Sequence, residues 1–97
     1  MSVHAVVLIQ CEIDEIPEAA QAIADISGVS EVYSVAGEFD LVAIVRVADH
    51  DALADVIPGG IAKVEGVART ETLIAFQVYS RHDLDRLFSI GFDEGQR

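Results

Sequence analysis

The segment Ala36-Gly37-Glu38-Phe39-Asp40 sets a glycine turn beside two carboxylates. A glycine there lets backbone N–H groups approach an anion closely, and Asp40 could accept hydrogen bonds from an ammonium. Further on, Arg69-Thr70-Glu71-Thr72 opens a β-rich run in which Thr70 and Thr72, two residues apart, turn hydroxyls to the same side of a strand. Amides, a carboxylate and paired hydroxyls together suit a zwitterion such as an amino acid. The plainer alternative is a hairpin turn followed by a strand start, and spacing alone does not bring the two segments together.

Other constellations carry less. Asp49-His50-Asp51 has the residue types of a metal site, but neighbours on a helix point in different directions and no Cys or His partner lies at ligand spacing. It predicts a capped helix start. His82-Asp83 and Asp85 read in the same way, as a solvated helix entry. Ser34, His50 and Asp40 supply the types of a nucleophilic triad, yet no serine has nucleophile-elbow glycines around it. Cys11 falls mid-strand on an apolar set, which predicts a buried, inert thiol. There is no GxGxxG, phosphate loop or HExxH. The sequence nominates no catalytic residue, no metal ligands and no cofactor, so a binding protein is expected and not an enzyme.

Composition narrows the binding partners. Six Lys and Arg stand against seventeen Asp and Glu in 97 residues, a net charge of −11. Nucleic-acid binding needs cations to displace counterions from phosphates, so direct DNA contact is not expected. Anionic lipid surfaces are disfavoured for the same reason. No apolar run approaches the roughly 18–20 residues of a spanning helix, and Met1-Ser2-Val3-His4 has no basic leader. One cysteine allows no intrachain disulfide, which predicts a reducing cytoplasm. Yet 52% of the residues are hydrophobic and mean hydropathy is +0.38. A chain of this size buries only roughly two-thirds of its surface on folding. The excess predicts a face covered by another copy.

The elements that must position the two segments follow from periodicity. Val3–Ile13 predicts a first strand whose odd positions (Val3, Ala5, Val7, Ile9, Cys11, Ile13) are all apolar. Val6 and Leu8 make its other face apolar at the centre as well. Ile16, Ala19, Ala20, Ile23 and Ile26 form one helical stripe, entered through Pro17 and ended by Gly28. Ser30–Ala36 predicts a second strand and Phe39–Ala48 a third, with Val42 and Ile44 repeating the doubly apolar centre. Asp49 caps a second helix bearing Leu53, Val56, Ile57, Ile61 and Val64, which Pro58-Gly59-Gly60 should kink or break. Val67–Tyr79 predicts a fourth strand, with the even set (Thr70, Thr72, Ile74, Phe76, Val78) the more buried.

An internal echo recurs at an offset of 38: Ala5-Val6-Val7 with Ala43-Ile44-Val45, and Gly28-Val29 with Gly66-Val67. Two strand–helix–strand units predict an α+β, ferredoxin-like βαββαβ fold, a four-stranded antiparallel sheet with both helices on one face. The bare face predicts a sheet-to-sheet dimer, a dimeric α+β barrel. Residues 1–80 would form the domain. Residues 81–97 would form an amphipathic tail capped by Asp83, with Leu84, Leu87 and Phe88 on one side.

The run Val35-Ala36-Gly37-Glu38-Phe39-Asp40-Leu41-Val42-Ala43-Ile44-Val45, followed by a helix and then Val64-Glu65-Gly66-Val67-Ala68-Arg69-Thr70-Glu71-Thr72, resembles the Lrp/AsnC-type ligand-binding domain, also called the regulation-of-amino-acid-metabolism (RAM) domain. The resemblance covers about residues 3–79. It implies the same fold, dimers assembled into rings of four or five (an octamer or decamer), and a small effector, usually an amino acid, between neighbouring dimers. Carried over by motif, Gly37, Glu38, Phe39 and Asp40 would form one wall of the pocket and Thr70 and Thr72 the other. Phe39 stands where the family often has tyrosine, and the Pro58-Gly59-Gly60 break also departs from the common pattern. Family members place a helix-turn-helix ahead of this domain, and this sequence starts at the first strand, like a stand-alone version. The expected role is therefore transcription regulation through a partner, such as a full-length Lrp/AsnC regulator. The alternatives are a structural oligomerisation partner that binds no metabolite, a cofactor-independent enzyme of the dimeric barrel type, and an ACT-type regulatory domain.

Overall fold

The strictest alternation in the chain becomes the middle of a sheet. In the computed structural model, which describes residues 2–79 and Arg81, Val3–Cys11 forms strand β1 and Leu41–Val47 forms β3. They pair antiparallel with Ala5 opposite Val45, Val7 opposite Ala43 and Ile9 opposite Leu41. All six side chains are fully buried. Helix α1 (Ile16–Ala24) connects β1 to β2 (Val29–Ser34), and α2 (His50–Val56) connects β3 to β4 (Val67–Ile74). β2 pairs with β3 and β4 with β1, both antiparallel, giving the order β2-β3-β1-β4. Ala19 and Ile23 of α1 and Leu53 and Val56 of α2 join the odd-numbered β1 residues in a single core, so both helices lie on one sheet face. The βαββαβ plan expected from the 38-residue echo is the one observed.

Local chemistry sets the element ends. Asp49 Oδ1 accepts a hydrogen bond from the Ala52 N–H at 2.9 Å, the cap expected at the start of α2. Pro58-Gly59-Gly60 does break the helix. Val56 is its last residue, and a 3-10 turn (Ile61–Lys63) keeps Ile61 in the core beside Ile57. The paired glycines of the echo share one backbone state, φ +102° at Gly28 and +96° at Gly66, which L side chains rarely adopt.

Several boundaries differ from expectation. The first strand stops at Cys11 because Ile13–Glu15 winds into a 3-10 turn, and Ile13 is 89% exposed there, not on the core face. The second and third strands are shorter than predicted, and Phe39 lies outside the sheet. The fourth ends at Ile74, although the Ala75 N–H still donates to the His4 carbonyl at 2.9 Å. Its even set is half-buried only at Thr70, while Arg69, Glu71 and Gln77 of the odd set are all exposed. Thr72 is exposed, Ile74 is half-exposed and Phe76 is fully exposed. Thr70, Thr72 and Ile74 do follow the core-facing register, opposite Ile9, Val7 and Ala5, but β4 is an edge strand and α2 packs on β3. The tail elements predicted around Asp83, Leu84, Leu87 and Phe88 lie outside the described residues.

Among the described residues, the other sheet face carries no helix. Val6, Leu8, Val42 and Ile44 lie partly exposed at its centre, with Tyr33 and Leu73 half-exposed beside them. A slip in register between Val29 and Glu31 turns Val29 and Val32 toward the core and leaves Glu31 and Tyr33 on this open face. A Glu31 hydrogen bond and its charge push the Tyr33 phenol above its ordinary value, partly offset by Arg46.

Candidate functional site

The turn between β2 and β3 is closed by its own backbone. The Val35 N–H donates to the Asp40 carbonyl at 3.0 Å, and the Asp40 N–H donates to the Ile9 carbonyl at 2.8 Å. Gly37 sits at φ +134° with open space where a Cβ would be, so backbone torsion and not crowding selects glycine there. The turn folds against one end of β1 and β4. Gln10 Nε2 donates to the Glu38 carbonyl at 2.9 Å. Arg69, opposite Gln10 in the β1–β4 ladder, holds its guanidinium 5.1 Å from the centre of the Phe39 ring, within cation–π range. Its Nη2 is 3.7 Å from Glu38 Oε2, an ion pair longer than a hydrogen bond.

A β-bulge helps aim these groups. The register shifts between Gln10 and Cys11, so Cys11 opposes Val67 while Gln10 opposes Arg69. Cys11 and Val67 pack against the core, whereas Gln10 and Arg69 stay at the rim of the open face. Asp40 works within the turn as well. Its Oδ2 accepts from the Cys11 N–H at 2.8 Å. Partial burial pushes the Cys11 thiol up, and the Asp40 charge adds to it.

The structure therefore brings Gly37, Glu38, Phe39 and Asp40 together, as the sequence suggested. It does not bring Thr70 and Thr72 to them within one chain. Both threonines follow the core-side register opposite Ile9 and Val7, with Thr70 half-buried and Thr72 exposed. The residues that meet the turn are Arg69 and Gln10, which the sequence reading did not select. Their signal is parity: Gln10 is a polar end of the even set of β1, whose centre is Val6 and Leu8, and Arg69 precedes the threonines by one register step. A recess of about 420 Å³ between α2 and the far end of β3, lined by Ser27, Arg46 and Asp55 among others, includes none of the six predicted residues. Among the described residues no helix is long and apolar enough to cross a membrane.

Known proteins agree with this geometry. The Thermus thermophilus protein TTHA0845 superposes with a TM-score of 0.77 and 48% identity, covering 81% of this chain and 99% of that one. Escherichia coli AsnC superposes with a TM-score of 0.74 and 25% identity, over 80% of this chain and 53% of AsnC. A Neisseria meningitidis transcriptional regulator, solved as a complex with L-Met, shares the fold with a TM-score of 0.72 at 14% identity, over 81% of this chain and 53% of the regulator. An uncharacterised helix-turn-helix-type transcriptional regulator of Pyrococcus furiosus is 37% identical over 59 residues, 61% of this chain. That match spans about two-fifths of the relative's own length, 39%. The family model described as the Lrp/AsnC ligand binding domain matches residues 4–84. The chain belongs to the Lrp/AsnC ligand binding domain family, whose members are transcriptional regulators in which this is a regulatory domain and not an enzyme.

Proposed function

We propose that this chain is an effector-sensing module that takes an amino acid at the turn Gly37–Asp40 and reports it through its state of association. The observation that carries the reading is the meeting of opposite charges, Glu38 and Arg69, with a glycine turn at one rim of the open sheet face. A zwitterion finds a partner for each of its charges there. The Neisseria regulator with the same fold holds L-Met, which supports an amino acid as the class of ligand.

The partly exposed apolar centre of the sheet supports a homodimer closed face to face. Thr70 and Thr72 face away from the turn of their own subunit, so the second wall of the pocket would come from another copy where dimers meet, in an octamer or decamer. A ligand bridging such copies stabilises one assembly by mass action, to the extent that it prefers that state. With a net charge of −11, the module acts on transcription through a partner such as a full-length Lrp/AsnC regulator, not through its own DNA contacts. A reducing cytoplasm suits its single cysteine.

Calorimetric titration with each of the twenty amino acids, paired with light scattering for mass, tests the proposal. Heat from at least one, accompanied by a change in size, is expected. No heat and no change in size from any of them overturns it.

A further inference from the structure

Arg69 is one of only six Lys and Arg residues in the chain, and it stands at the turn proposed to hold the effector. The Phe39 ring lies against its guanidinium, a contact that favours that position before any ligand arrives. Glu38 Oε2 stands 3.7 Å from Arg69 Nη2, with side chains 53% exposed at Arg69 and 73% exposed at Glu38. An exposed pair of that length holds weakly. The Glu38 backbone is anchored independently, through its carbonyl to Gln10. The Glu38 side chain can therefore leave while the turn stays in place.

We propose that Arg69 binds the carboxylate of the amino-acid effector and that Glu38 is its built-in competitor, displaced when the ligand enters. A free carboxylate can pair with both arms of a guanidinium, a stronger arrangement than the loose single contact of Glu38. The ligand's ammonium falls to Asp40, so Glu38 acts on binding only as the competitor. Glu38 sets the concentration at which the site fills, and Arg69 sets the requirement for a carboxylate. This assignment rests on the effector reading of the same turn and adds the group that reads the acid.

Calorimetry on the full chain and on the variants Arg69→Gln and Glu38→Gln decides it. The probes are the twenty L-amino acids and, for each one that binds, its primary amide, which keeps the ammonium and loses the carboxylate. Both side chains are exposed, so both variants are expected to melt as the parent does. Arg69→Gln should weaken the amino acid by about tenfold or more and leave the amide within about twofold. Glu38→Gln should tighten the amino acid by about threefold, a gain that loss of a purely structural contact would not give. If the amino acid binds Arg69→Gln as well as it binds the parent, or if Glu38→Gln binds no tighter, the assignment is overturned while the effector reading stands. If no amino acid binds the parent chain, both fall together.

Discussion

Asp40 ties the start of β3 to the end of β1 through the backbone of Cys11, with its Oδ2 accepting the Cys11 N–H at 2.8 Å. The carboxylate that sequence offered to a ligand's ammonium thus has one oxygen committed inside the chain. Replacing it with alanine leaves a partly buried N–H without its acceptor, at a cost of about 1–3 kcal/mol. Asp40→Asn keeps an acceptor and should lose less, as urea unfolding will show. Loss of ligand in Asp40→Ala therefore does not by itself separate a sensor from a scaffold. The charge reaches the thiol as well. Burial is the larger cause of the raised Cys11 pKa and Asp40 the smaller, so Asp40→Asn lowers it only part of the way toward 9.0. Cys11 in Asp40→Asn should then react faster with an aromatic disulfide reagent at mildly alkaline pH, and an unchanged rate would show that Asp40 does not influence it.

Gly28 carries two constraints at once. Its φ is +102°, and a Cβ there would stand 2.7 Å from Val56 Cγ2 in the core. Gly28→Ala should cost about 2 kcal/mol or more, from backbone strain plus overpacking. Gly37→Ala meets nothing within 4 Å and should cost only the strain, about 1 kcal/mol. In a Val56→Ala background the cost of Gly28→Ala should fall by at least about 0.5 kcal/mol, because the contact is then gone. Equal costs in both backgrounds would show that Val56 adds nothing, leaving the torsion and the contact with Val47 Cγ1 at 3.2 Å.

The fold was legible where two signals agreed. Alternation in β1 and β3 and the helical stripe from Ile16 to Ile23 named eight of the buried residues correctly: Ala5, Val7, Ile9, Ala19, Ile23, Leu41, Ala43 and Val45. The recurrence of Gly28 and Gly66 gave the topology, because one strand–helix–strand unit occurs twice. The edges were less legible. Parity placed Thr72 and Ile74 on the core-side face correctly, but parity carries no information about whether a helix reaches that far across the sheet. The site showed the same division. Gly37 to Asp40 were found through turn chemistry, which is local. Gln10 and Arg69 come from 28 or more residues away through strand pairing and a bulge, and a one-residue shift in the ladder decides which face Arg69 joins.

Glu15 lies at a corner rich in carboxylates. Loss of solvent raises its pKa first, followed by the charges of Glu65, Asp14, Glu18 and Glu12. A carboxyl whose folded pKa is raised binds its proton more tightly in the folded state. Its contribution is therefore most favourable below the unfolded value and is lost as pH rises through the folded one. Glu15→Gln removes that penalty, so the variant should melt above the parent at neutral pH. The difference should close as pH falls toward 4.5, the ordinary glutamate value. A constant difference across that range would show that the charge is not the cause.

Ile44 stands at the centre of the open face, opposite Val6 and next to Glu31 in the ladder, turned away from the helices. In one subunit it is only partly exposed and touches no part of the buried core, so a glutamate there need not disturb the fold. In a face-to-face dimer the same carboxylate is pressed among the apolar side chains at the centre of the face, a strongly unfavourable arrangement. Ile44→Glu should raise the dimer dissociation constant by about a hundredfold or more. It should also abolish any dependence of the melting temperature on protein concentration. Ala54→Glu, on the exposed side of α2, adds the same charge away from the sheet and should change neither. Sedimentation over a micromolar range separates the outcomes. If Ile44→Glu associates as tightly as the parent, copies do not meet through the sheet, and the second wall of the pocket must come from some other contact.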